Sequence, residues 1–157
     1  MKSLKQLLMD DSYFLMESLF NIDNYYPYKK DGNAIWTFMD KFGNKHLIRA
    51  MYQASKLFGH EDGYYEIKFG MYFNGKLIYD DLPENDEKVL NTHIRIALKE
   101  ILEKFNDVVE WRIPPVENDV RRYRLFRRAI NSLVDNSMWS METNPKDHKN
   151  VIWLKRK

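Results

Sequence analysis

The 157 residues contain no cysteine. Disulfides, thiolate metal sites and cysteine nucleophiles are therefore excluded. No stretch approaches the roughly 20 consecutive apolar residues of a membrane helix. Residues 1–20 lack an uninterrupted apolar segment and a small-residue cleavage site, so no secretory signal is expected. A cytoplasmic protein without a membrane partner is the expectation. Glycine and proline are sparse, at 6 and 5 residues, and no internal repeat, low-complexity tract or linker interrupts the chain. His46, His60, His93 and His148 are isolated from one another. None has the i, i+4 or H-x-E spacing of a metal ligand pair, so no metal site is expected.

What is abundant is aromatic surface, at 15% of residues, beside 44% hydrophobic and 31% charged. Such a chain is long enough to bury a sizeable core as a single domain over residues 1–157. The net charge is only +2, but it is uneven. Residues 111–157 carry 11 Lys and Arg against 5 Asp and Glu, whereas residues 1–110 carry 14 against 18. An acidic front and a basic back suit one face to anionic partners.

The central stretch is Tyr64–Val134. Within Tyr64–Phe73, Tyr65, Ile67, Phe69, Met71 and Phe73 alternate with Glu66, Lys68 and Tyr72, which predicts a strand with one core face and one wetter face. Asn74-Gly75 signals a tight turn into a short strand, Lys76–Tyr79. Asp81-Leu82-Pro83-Glu84 reads as a capping box for a helix running to about Phe105, with Leu90, Ile94, Ala97, Leu98 and Ile101 on its buried side. A strand, Val108–Ile113, and a helix, Val116–Val134, follow. Before the central stretch, a helix is expected over Leu4–Phe20 with Ser3 as its cap. Asn21–Gly32 is expected to be a loop. The strands Ala34–Asp40 and Lys45–Ser55 are expected to join through Lys41-Phe42-Gly43-Asn44. Strands at Ser137–Glu142 and Val151–Lys155 close the chain.

The order helix, three strands, helix, strand, helix, two strands resembles the GNAT (Gcn5-related N-acetyltransferase) fold over nearly the whole chain. The stretch Asn91–Arg128, with a short strand and then "RRYRLFRR", is similar to small GNAT-like proteins of bacteriophages. The resemblance implies an α/β domain, a mixed and mostly antiparallel sheet with helices on both faces. It also implies acetyl-CoA as cofactor, its pyrophosphate held by a glycine-rich loop at a helix N-terminus. Here that place reads DDLPENDEKVL, without glycine and with Asp80, Asp81, Glu84, Asp86 and Glu87. The family's Leu-Tyr pair, whose tyrosine is a general acid, corresponds to Leu125-Phe126, and phenylalanine has no proton to give. Under the acyltransferase reading, Glu66 would be the base and Tyr123 a substitute acid. The departures favour a non-enzymatic or degenerate accessory protein without a cofactor.

For such a protein the arginines are the candidate contact surface: Arg121, Arg122, Arg124, Arg127 and Arg128 on the second helix, with Arg112 on the preceding strand. Guanidinium groups suit an acidic protein surface or phosphates through planar, bidentate contacts. Interleaved aromatics of the kind that stack on bases are missing. A protein partner therefore ranks first and a duplex backbone second, with a host protein or a virion component both open. A solvated face, salt-bridged to the acidic half of the chain, is the plainer alternative. The tyrosines of Tyr25-Tyr26-Pro27-Tyr28 suit either an interface or packing over the sheet end.

Overall fold

The computed structural model describes residues 22–54, 62–79, 86–114, 120–142 and 150–157. The helix expected over Leu4–Phe20, the capping box at Asp81–Glu84, His60 and His148 lie outside the described residues. The strands are β1 (Tyr28–Gly32), β2 (Ile35–Met39), β3 (Lys45–Gln53), β4 (Tyr64–Phe73), β5 (Lys76–Ile78), β6 (Glu110–Ile113), β7 (Trp139–Glu142) and β8 (Ile152–Arg156). The helix α1 (Glu87–Arg95) runs on into a π-helical segment, Ile96–Leu102, and α2 (Val120–Leu133) follows β6. Among the described residues no helix is long and apolar enough to cross a membrane.

All the strands join one mixed, mostly antiparallel sheet in the order β1-β2-β3-β4-β6-β8-β7, with β5 beside β4. The parallel step is β4 to β6, where Tyr65 faces Trp111 and Glu66 faces Arg112. Since β3 occupies the other edge of β4, β5 and β6 share one edge, β6 at its start and β5 at its end. The turn into β5 uses Asn74 and Gly75, both at positive φ (50° and 77°), which matches the twist of the flanking strands.

The strand β1 corrects the loop expected over Asn21–Gly32. Its sequence, YKKDG, alternates too weakly to read as a strand because it lies at the sheet edge, with four of its five residues exposed. Charged residues on such an edge discourage pairing with another chain.

Alternate residues of β2, β3 and β4 (Trp36, Phe38, Ile48, Ile67 and Phe69) face the described helices and are almost fully buried. The Phe69 ring lies 4.8 Å from His93 of α1 and 5.3 Å from Phe126 of α2. Both helices therefore pack on the same face of the sheet. The expectation of helices on both faces rests on residues 4–20, outside the described ones. In the π-helical segment the spacing of buried residues widens to five, Ile96 with Ile101 and Ala97 with Leu102, so three successive residues, Ile96–Leu98, can be buried.

The β2–β3 turn is held by Asp40. Its carboxylate accepts N–H bonds from Phe42 (2.8 Å) and Asn44 (2.9 Å), the Asn44 amide (3.1 Å) and His46 Nε2 (2.9 Å). Burial pushes the Asp40 carboxyl upward, but the bonds from His46, Asn44 and Phe42 outweigh it and hold the group below its ordinary range. An ionised carboxylate only accepts, so Nε2 carries the proton. The His46 ring stacks on Phe38 at 4.6 Å and meets His93 edge-on at 5.8 Å.

Because Asp40 binds protons less readily when folded than when unfolded, its stabilisation is present above the ordinary aspartate range and lost as pH falls through the folded value. Stability should hold from neutral pH to about pH 4 and then decline. Asp40→Ala should cost on the order of 3 kcal/mol at neutral pH by stranding several donors, and should make the acid decline shallower. Urea unfolding at a series of pH values measures both effects.

Candidate functional site

The helix α2 carries the densest charge. Its inner stripe, Phe126, Ala129 and Ile130, is fully buried, while Tyr123, Leu125 and Leu133 are half-buried. That stripe turns Arg124, Arg127 and Arg128 outward, and all three are exposed. The backbone of Arg121 and Arg122 belongs to the same helix; their side chains are outside the described set. Among the described residues no carboxylate forms an ion pair with Arg124, Arg127 or Arg128. The Arg127 guanidinium reaches the Tyr123 hydroxyl at 3.5 Å. Arg124 and Arg128 are like charges at i, i+4, which disfavours a helix by roughly 0.2–0.5 kcal/mol. Helix stability therefore does not account for the arrangement.

Arg112 does not join this face. It is 4% exposed, within the sheet, and its Nη1 donates to Glu66 across the parallel step. Glu66 was expected on the wetter face of β4 but is 1% exposed. Its carboxylate also lies 3.4 Å from the Gln53 amide and 3.5 Å from Lys68 Nζ. Both residues occupy the sheet face opposite the described helices, where the register also places Trp153 beside Arg112. Period-two alternation locates the face but not what covers it, so burial of the pair was not readable from spacing alone.

The N-terminus of α1, where the GNAT resemblance implies a phosphate cradle, is closed by its own chain. Asp86 is the N-cap, and its Oδ1 accepts the N–H groups of Lys88 (3.1 Å) and Val89 (3.2 Å). Its Oδ2 accepts the Tyr26 hydroxyl at 2.8 Å. Burial and this bond raise the Tyr26 phenol above its ordinary range. Tyr26 is 7% exposed, and its backbone N–H donates to Thr92 Oγ1 at 2.9 Å. The Tyr25–Tyr28 stretch thus packs against α1 and the π-helical segment: Tyr25 lies under the Arg95 guanidinium at 4.1 Å, and the Tyr28 hydroxyl donates to Glu100.

The candidate acids and bases are not brought together. Tyr123 is half-buried on α2, whose stripe packs on the helix-facing side of the sheet, while Glu66 is buried on the other side. Phe126, at the place of the family's tyrosine, is core. His46 and His93 are fully buried in the aromatic cluster. Among the described residues no group of three or more His, Cys, Asp or Glu is arranged to hold a metal ion. The Asp40–His46 pair was missed, although an aspartate at the start of a DKFGN turn is a common acceptor of the turn's own N–H groups.

Searches of family models, curated proteins and solved structures find no match to this chain.

The buried pair yields a direct test. Arg112→Met leaves the buried Glu66 with only Lys68 at 3.5 Å as a counter-charge and should destabilise the fold by about 3 kcal/mol, whereas the double variant with Glu66→Leu should recover most of that loss. Chemical denaturation of the two variants and the parent measures the difference; equal losses would mean that the two side chains are not coupled.

Proposed function

We propose that the protein is a non-enzymatic, GNAT-like accessory protein of the phage type, which acts by binding a partner through the outer face of α2. The observation that carries this reading is the exposed Arg124, Arg127 and Arg128 face, unpaired with any described carboxylate. Three forked cations on a helix anchored by Phe126 and Ile130 make a rigid surface. Rigid presentation lowers the entropy lost on binding. An acidic protein surface fits best, because guanidinium groups pair with carboxylates in plane. Arg112 is not part of the contact, since it is buried beside Glu66.

Two features support a GNAT-like scaffold that has lost its cofactor. The sheet has its parallel step at β4–β6, bridged by α1, in keeping with the likeness. The N–H groups at the start of α1 are occupied by Asp86, so a pyrophosphate would have to displace a carboxylate that is itself anchored by Tyr26. A second reading, an acyl-CoA-dependent N-acyltransferase using Glu66 and Tyr123, needs that cap to open.

The triple reversal Arg124→Glu, Arg127→Glu and Arg128→Glu should abolish capture of a partner from a bacterial lysate. The melting midpoint should move by only a few degrees, since exposed substitutions shift stability by roughly 0.5 kcal/mol each. Acetyl-CoA should leave the midpoint of the parent unchanged, and a clear rise would establish cofactor binding and overturn the reading. Binding to duplex DNA that falls steeply with salt would move the assignment to nucleic acid.

A further inference from the structure

A cavity of about 340 Å³ opens where the π-helical segment, the end of α2 and the paired strands β7 and β8 meet. It shares no residue with the outer arginine face and needs no part of the function proposed above. Leu98 and Leu102 line it from the π-helical segment, Leu133 and Val134 from the end of α2, Trp139 from β7 and Arg156 from β8. Seven of the twelve lining side chains are apolar, so most of the wall favours a hydrocarbon body. The size is at the small end of cavities that enclose ligands. Wide π-helical turns recur beside functional sites.

Arg156 makes the cavity more than a packing defect. Its guanidinium lies over the Trp139 ring, 4.4 Å from the centroid. Its Nε and Nη2 are buried, and neither has a hydrogen-bond partner among the described residues. Nor does any described carboxylate pair with it. Nε and Nη2 lie along one edge of the guanidinium, and their parallel N–H bonds match the two oxygens of a carboxylate. Two buried N–H groups without acceptors, on a half-buried guanidinium, are unfavourable until something supplies them.

The other charges at the rim are already engaged. Lys99 pairs with Glu103 at 3.2 Å, and Asp135 accepts the Ser137 N–H at 2.9 Å and its hydroxyl at 2.6 Å. These two acids at the rim would repel a doubly charged head group. We infer that the cavity binds a small amphiphilic monocarboxylate, its carboxylate on the Nε–Nη2 edge of Arg156 and its apolar body between the leucines and Trp139.

Isothermal titration of the full chain with octanoate tests this, with octanol as the neutral counterpart. Octanoate should bind saturably with one site, and octanol at least tenfold more weakly. Arg156→Gln should remove the preference between the two probes. Leu133→Trp, at a half-buried position on the wall, should fill the cavity and weaken octanoate at least tenfold with Arg156 intact. Circular dichroism establishes that each variant is folded. If Arg156→Gln does not fold, Leu133→Trp and the octanoate-to-octanol ratio of the parent decide the matter. Equal affinity for the two probes, no saturable octanoate binding, or octanoate binding unchanged in either folded variant would each overturn the inference. None of these outcomes bears on the arginine face, because no residue of that face lines the cavity.

Discussion

The ion pair between Glu66 and Arg112 sits where the sheet is most narrowly joined. On one side lie β1 to β5, and on the other β6, β8 and β7; the parallel contact between them involves two residue pairs. Side-chain direction alternates along β4, so a slip of one residue would turn Glu66 towards His93 and Phe126 of the helices and carry Ile67 and Phe69 to the opposite face. A buried charge is tolerated only beside its opposite. A one-residue slip would break this pairing, so the pair favours the observed register.

With the register set, the two helices present opposite chemistry on the same side of the sheet. The start of α1 is turned inward and satisfied: Asp86 takes its N–H groups, Tyr26 holds Asp86, and Thr92 holds the backbone of Tyr26. The outer face of α2 offers exposed cations that the described part of the chain does not neutralise. The capped start of α1 and the exposed cations of α2 thus belong to helices on the same side of the sheet.

Much of the sheet was legible because its signals are local. The alternation in Tyr64–Phe73, the Asn74-Gly75 turn and the apolar stripe of α2 each follow from a few neighbouring residues. The strand β1 was not legible, since at an edge the burial that writes a pattern into sequence is missing. The burial of Glu66 and Arg112 was hidden for a different reason: it depends on a parallel contact between residues 46 positions apart. The outward direction of Arg124, Arg127 and Arg128 was readable from helical spacing, but their lack of described acidic partners required the arrangement of distant carboxylates. The start of α1 shows both sides of this. Its acidic composition was plain, but the choice of Asp86 as the cap depends on Tyr26, 60 positions away.

The π-helical segment has a consequence for how the chain can vary. Seven residues wound at the wider spacing contain roughly one amino acid more than an ordinary helix needs to cover the same angular travel. Deleting a single residue there would let the segment rewind to normal pitch while its flanks kept their orientation. Length changes that would misalign a strand can be absorbed at this point, so homologous chains that differ by one residue should carry the difference between Ile96 and Leu102, and the shorter forms should have a narrower space beside Trp139.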